Sequence, residues 1–227
     1  MLDPAQLFVR LLAHSPLGSC PSAGPRYCAL ELGQFTLHDL IVHCKDAIRD
    51  GKPHCLRDEG ELLRAALHIL RALAFLERCQ FAHGDMKPAN VMWFGGQAAG
   101  AWKLIDLDGL RTHSELVDML SEEFYTPIYA APELAAAVAL QGPLRISASL
   151  DVWSAGVALL EVELLVPPLW ATFESFCQDR DDGLPGFMRW LGEEPSPLQV
   201  PAAPRLVCPT FWEMMRACIL VTDPADR

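Results

Sequence analysis

The stretch VWSAGVALLEVELLVPPLW, residues 152–170, limits what this chain can fold into more than any other feature. It is apolar on most faces, yet it carries Glu161 and Glu163 and is broken by Pro167-Pro168. A bilayer span needs about 20 nearly uncharged apolar residues, so this segment is too short and too charged for one. A helix that is apolar nearly all round belongs in the middle of a core. The 227 residues suffice for one domain with a sizeable interior around it. With 51% hydrophobic and 21% charged residues the chain is not of the disordered class. Its net charge of −11 and the lack of any basic run argue against nucleic acid or an anionic membrane as main partner, and leave room for a basic peptide.

Eight cysteines (Cys20, Cys28, Cys44, Cys55, Cys79, Cys177, Cys208 and Cys218) form no C-x-x-C pair and match no zinc spacing. With no signal peptide at the start, they predict reduced thiols in a cytoplasmic or nuclear protein.

Two short apolar runs, FVRLLAH (8–14) and YCALEL (27–32), flank a Pro/Gly/Ser loop and predict two strands. From Thr36 the pattern is helical, with apolar residues at 37, 40, 41, 44 and 48 and a stop at Gly51-Lys52-Pro53. A long helix is expected from about Asp58, its N-cap, to Cys79, with Glu61 three residues after the cap and a stripe from Leu62 to Leu76. VMWF and AWKLIDL read as a hairpin across GGQAAG, and residues 109–130 as a long irregular segment. Further helices are expected at 132–140, 151–165 and 210–220, whereas the Pro-rich stretch 183–209 carries no assignment. Asp179, Arg180, Asp181 and Asp182 read as a solvated loop, and Glu122 and Glu123 as soluble surface.

Residues 81–94, FAHGDMKPANVMWF, place His83, Asp85, Lys87 and Asn90 between apolar flanks. Such a cluster is either a polar turn capping a helix, or a catalytic loop in which one carboxylate takes a proton and an amide holds a metal. His83-Gly84-Asp85-Met86-Lys87-Pro88-Ala89-Asn90 resembles the catalytic loop of protein kinases, H-R-D-L-K-x-x-N. Lys103-Leu104-Ile105-Asp106-Leu107-Asp108 resembles K-[IL]-x-D-F-G, and Thr126-Pro127-Ile128-Tyr129-Ala130-Ala131-Pro132-Glu133 resembles T-P-x-Y-x-A-P-E. Asp151-Val152-Trp153-Ser154-Ala155-Gly156 resembles D-V-W-S-x-G, and Asp223-Pro224-Ala225-Asp226-Arg227 resembles D-P-x-x-R. An Asp-x-x-x-x-Asn match alone is unspecific; five motifs in the family's order are not.

The resemblance implies an α+β, protein-kinase-like fold with a mainly helical C-terminal lobe. Residues 1–32 would be remaining strands of the N-terminal lobe and the start of the hinge. Residues 33–227 would be the C-terminal lobe, with the catalytic loop at 83–90 and the activation segment at 106–133. It implies ATP and Mg²⁺ as cofactors and a protein as substrate. Asp85 would orient the substrate hydroxyl and take its proton, and Lys87 would offset charge on the moving phosphoryl group. Asn90 and Asp106 would hold Mg²⁺ with hard oxygen ligands. The backbone of Glu31 and Gly33 would meet the adenine edge, with Met92 beneath the ring and Leu30 at the back. Thr126 would shape the substrate groove against Asp85 and Lys87. His83 would be a packed core residue, Glu133 and Arg227 a buried ion pair, and Asp151 an anchor for the catalytic loop that also reads as a helix N-cap.

Three departures stand out. Gly84 replaces the arginine that pairs with an activation-loop phosphate, for which Arg111 would substitute in part. Asp108 replaces a glycine, which restricts that turn, while Leu107 still suits an apolar slot. No glycine-rich phosphate loop or strand lysine is present, and the first lysine is Lys45. Three readings follow. The first is a Ser/Thr protein kinase, of which this chain is a part with little activity alone. The second is a kinase-like binding scaffold. The third is a small-molecule kinase like those acting on aminoglycosides or choline, which Gly84 suits but Lys87 and the later motifs do not. The face without its N-terminal lobe would be apolar and prone to association.

Overall fold

A computed structural model of the chain describes residues 3–15, 27–53, 59–95, 100–119, 124–179, 182–199 and 209–227. The expected cap Asp58, the carboxylates Glu122 and Glu123, Arg180 and Asp181, and Cys20, Cys55 and Cys208 lie outside them, as do most of the two Gly-rich connections.

Strands β1 (Leu11–His14) and β2 (Cys28–Leu30) form an antiparallel hairpin, as the two apolar runs require. After β3 (Phe35–Thr36) comes α1 (Leu37–Arg49). Thr36 caps this helix reciprocally with Asp39, each side chain accepting from the other's backbone N–H. Its buried stripe is Leu37, Ile41, Cys44 and Ala47, so the last turn brings Ala47 inward and leaves Ile48 exposed. Helix α2 (Glu59–Arg78) buries the stripe that runs from Leu62 to Leu76. Strands β4 (Phe81–Ala82), β5 (Val91–Phe94) and β6 (Ala101–Leu104) follow, and β3, β5 and β6 form one sheet in that order.

The segment read as irregular contains β7 (Arg111–Thr112), paired with β4, and β8 (Leu116–Asp118), paired with β9 (Pro143–Arg145). Helices α3 (Pro132–Ala139), α4 (Ala148–Leu164) and α7 (Pro209–Cys218) match expectation within a few residues. Two more were not foreseen, α5 (Trp170–Asp179) and α6 (Gly183–Glu193). Pro185 is compatible with α6 because it sits in the first turn, where its missing N–H has no intrahelical acceptor.

Helix α4 is buried at every residue from Trp153 to Glu163 and separates two apolar cores. Its Ala155, Leu159 and Leu160 pack with α1, α2, the β5–β6 hairpin and α7. Its Leu150, Trp153 and Val157 pack with α3, α6 and residues 128–131. Among the described residues no helix is long and apolar enough to cross a membrane. With small antiparallel sheets set against a helical body, the fold is α+β and protein-kinase-like, as expected.

Helices α3 and α6 touch at Gly192, where an added Cβ would lie 2.8 Å from the backbone of Ala136. Backbone cannot swing aside as a side chain can. Gly192→Ala is therefore expected to lower stability by about 1–3 kcal/mol, read by urea unfolding. An unchanged midpoint would mean that the two helices slide freely.

Candidate active site

Residues 83–90 join β4 to β5 and are held from beneath by one side chain. Asp151, in the first turn of α4, accepts the backbone N–H of His83 on Oδ2 (2.6 Å) and that of Gly84 on Oδ1 (2.9 Å). It is not the N-cap, which is Ser147. Burial pushes the Asp151 carboxyl above its usual range, against the opposing pull of His83 and the two N–H donors. His83 is buried, donates from Nε2 to the carbonyl of Ile105 (3.0 Å), and presents Nδ1 to the N–H of Asp85 (3.4 Å). In that tautomer the ring ties the loop to the strand carrying Asp106 and has no lone pair left for a substrate.

On this base stand the polar side chains. Thr126 donates its hydroxyl to Asp85 Oδ1 at 2.7 Å. The Lys87 ammonium donates to Asp85 Oδ2 at 2.5 Å and to Thr126 Oγ1 at 2.9 Å. Asp85, Lys87 and Thr126 thus close a ring of three contacts across two segments 39 residues or more apart. Asn90, buried, donates its amide to the carbonyl of Asp85 (2.8 Å), which leaves its carboxamide oxygen for a cation. The carbonyl of Asn90 accepts the N–H of Ile105 (3.0 Å), bringing the residue before Asp106 alongside. Asp106 is exposed in the left-handed region (φ 60°), its carboxylate making no cap bond to the following turn. Asn90 and Asp106 offer two hard oxygen ligands, which suits Mg²⁺ because that ion fills its remaining positions with water and phosphate oxygens. Among the described residues no cluster of His, Cys, Asp and Glu forms a metal site by itself.

At Gly33, between β2 and β3, Met92 lies so close that a Cβ there would be 2.1 Å from its sulfur. The carbonyl of Glu31 and the N–H of Gly33 have no backbone partner among the described residues, whereas the N–H of Glu31 is taken by the carbonyl of Arg10 (2.9 Å). Leu30, opposite Leu11 in the hairpin, is half exposed. The Glu31 side chain faces away from this edge, to Lys103 (2.5 Å) and Arg10 (3.1 Å). Burial alone would raise the Glu31 carboxyl, but the Lys103 and Arg10 contacts outweigh it and hold the group below its usual range.

Glu133 and Arg227 pair as expected; the Arg227 guanidinium is fully buried, donates to the carbonyl of Ser149 (3.3 Å) and lies 5.4 Å from the Trp153 ring centre. Leu107 packs at the margin of the first core. Gly84 has a φ of 86°, and an added Cβ would meet the Phe124 ring at 3.0 Å. Arg111 lies over the same ring, 5.3 Å from its centre. An aromatic ring thus fills the space beside Gly84, and Arg111 is engaged with that ring.

Sequence reasoning passed over Tyr129 and Glu161. The Tyr129 hydroxyl donates to Glu161 at 2.6 Å beneath the Thr126 segment, and Ser154 donates to the Tyr129 carbonyl at 2.8 Å. Burial, followed by the Glu161 charge, raises the Tyr129 phenol; burial also raises the Glu161 carboxyl, against the Tyr129 hydrogen bond. A signal existed: a carboxylate within an all-apolar helix has to find a donor.

The chain belongs to the protein kinase family: the family model for the protein kinase domain matches residues 29–226. Its relatives are of the serine/threonine type. The chain is 29% identical over 161 residues to serine/threonine-protein kinase 36 of Pongo abelii, covering 63% of this chain and 12% of that protein. It is 30% identical over 149 residues to serine/threonine-protein kinase Kist of Rattus norvegicus, covering 63% and 32%. It is 30% identical over 113 residues to MAP kinase-activated protein kinase 2 of Drosophila melanogaster, covering 50% and 30%. The matches thus span a third or less of these relatives.

Two outcomes are expected. Gly84→Arg should lower stability by about 1–3 kcal/mol, since the new side chain combines an unfavourable φ with the Phe124 ring; thermal unfolding with Phe124→Ala as a second background reads whether the ring is the cause. The Glu31 contacts should contribute stability that is complete above the ordinary glutamate range near pH 4.5 and lost as pH falls through the lower folded value. The difference between wild type and Glu31→Gln in urea unfolding should therefore shrink below that pH. A difference that grows on acidification would refute the assignment.

Proposed function

We propose that this chain carries the catalytic and substrate-binding part of a protein kinase that transfers the γ-phosphate of ATP to Ser or Thr hydroxyls of protein substrates. The supporting observation is the ring of Asp85, Lys87 and Thr126 with Asn90 and Asp106 beside it. A buried scaffold gains nothing from such a set, because polar groups at a surface cleft are equally satisfied by water.

Mg²⁺ and ATP, when bound, supply the phosphoryl group and neutralise its charge. Asp85 accepts a hydrogen bond from the incoming hydroxyl, in place of the one from Thr126, and takes the proton. Lys87 sits 2.5 Å from that carboxylate and supplies positive charge where negative charge builds up. Thr126 presents a hydroxyl at the place a substrate Ser or Thr would occupy. Asn90 and Asp106 would hold the cation. Glu31 and Gly33 would pair with adenine over Met92, with Leu30 behind.

The second reading, a kinase-like scaffold, is favoured by one fact: these 227 residues hold no glycine-rich loop, and their first lysine is Lys45, on α1. Activity of this chain alone is accordingly expected to be low. Leu11, Leu12, Tyr27 and Leu30 of the β1–β2 hairpin are all half exposed or more, apolar surface suited to association.

The test measures radiolabel transfer from ATP to a Ser/Thr peptide library, beside thermal stabilisation by Mg²⁺ and ATP. Asp85→Asn should cut transfer about 10²–10⁴-fold while stabilisation by the nucleotide persists. Asp106→Asn should remove the Mg²⁺ dependence of that stabilisation. Transfer that survives Asp85→Asn would overturn the role given to Asp85, and no transfer with no nucleotide effect would leave the scaffold as the better account.

A further inference from the structure

Helix α2 carries Arg64, His68, Arg71 and Arg78 at spacings of four, three and seven residues. At 3.6 residues per turn these fall on one stripe, so a chain without a basic run in sequence has one in space. Where the stripe passes the edge of β6, a cleft of about 590 Å³ opens between α2, residues 5–10 and the β5–β6 hairpin. Arg10, Arg71, Lys103, His68 and Glu31 line it, together with apolar wall from Leu7, Leu32 and Phe94.

The charges there are unevenly used. Both Glu31 oxygens are occupied: Oε1 accepts from the backbone of Arg10 (2.9 Å) and from Lys103 (2.5 Å), and Oε2 accepts from Arg10 Nε (3.1 Å). This fixes Lys103, which is only 8% exposed and stands 4.9 Å from the Phe94 ring centre. It also fixes Arg10 through Nε, while its two terminal nitrogens have no partner among the described residues. Arg71, exposed, has no hydrogen bond or ion pair among the described residues. His68 accepts the Trp102 N–H on Nδ1 (3.0 Å), and burial together with Arg71 and Arg64 holds its pKa down. Its other nitrogen is therefore a neutral N–H donor. Three cations and one neutral donor thus meet a single carboxylate, both of whose oxygens already accept hydrogen bonds.

We propose that the cleft between Arg10, Arg71, Lys103 and His68 is a docking site for a short acidic segment of a partner protein. Arg10 and Arg71 present planar forks that match carboxylates, and Glu31 has already ordered one of them. The volume falls among those of ligand sites (about 300–1,000 Å³), larger than one carboxylate needs, and the apolar wall accepts neighbouring aliphatic groups. An extended polyanion such as RNA would meet the field of a chain with net charge −11. A short segment held within a Debye length of about 10 Å feels the local cations instead. The site lies outside the catalytic loop, so it stands whether or not the chain transfers phosphate.

The test is fluorescence anisotropy on the whole 227-residue chain with a fluorescein-labelled peptide alternating glutamate and leucine. A glutamine-for-glutamate peptide and a short single-stranded RNA are the other arms. The glutamate peptide should bind saturably and lose affinity with added salt. Arg71→Ala should weaken it about tenfold, Arg71→Glu further, and Arg71→Lys less than either. Lys45→Ala, at an exposed position on α1, should leave it unchanged, and thermal melts of each variant report folding. The proposal is overturned if the wild type does not bind, if the glutamine peptide binds equally, if Arg71→Ala and Lys45→Ala behave alike, or if only the RNA binds.

Discussion

The buried carboxylate of Asp151 is the contact on which the rest of the site depends. It leaves water to accept two backbone N–H groups, those of His83 and Gly84, at the mouth of the most buried helix. Removing a charge from water is costly, and a carboxylate recovers that cost only through strong, well-aligned donors. Both donors come from one loop, so the loop takes a single conformation. The N-terminal end of α4 adds its dipole to the same balance. Everything that follows in the loop, from Asp85 to Asn90, inherits its position from this bond pair.

Contacts of a different kind hold residues 124–133. Next to Asp85 this chain has Gly84, at a φ few other residues adopt. The space beside it is taken by Phe124, with Arg111 over the ring. Packing and a cation–π contact thus hold this segment against the loop. Further along, Thr126 meets Asp85 while Tyr129 anchors on Glu161 and Glu133 on Arg227. These links tie the segment to residues 83–90, to α4 and to Arg227, the last through a guanidinium that water does not reach.

Much of the fold was legible because its signals are local. Thr36 with Asp39, the stripe from Leu62 to Leu76, and the apolar run after Asp151 each state a helix within a few turns. Helix α6 was obscured by Pro185, a residue that breaks helices at most positions but is harmless in a first turn. The strands β7 and β8 were obscured for another reason. Each is two or three residues long and exists only because β4 or β9, far away in sequence, offers hydrogen bonds. The site shows the same division. Asp85, Lys87, Asn90 and Asp106 were legible as a motif, whereas the Phe124–Arg111 stack and the Tyr129–Glu161 bond, each between residues far apart, were not.

By itself the sequence determined that one helix would be central, that its neighbours would be amphipathic, and that an ordered series of polar motifs would fall at the turns between them. Periodicity and spacing suffice for that, since hydrophobic burial and backbone geometry act over a few residues. Only the tertiary structure decided which of those polar groups meet. Asp85 reaches Thr126 across 41 residues, Asp151 reaches His83 across 68, and Lys103 reaches Glu31 across 72. Hydrogen bonds and ion pairs work at about 3 Å and are blind to sequence separation. The basic stripe of α2, spread thinly in the text and gathered on one face in space, exists for the same reason.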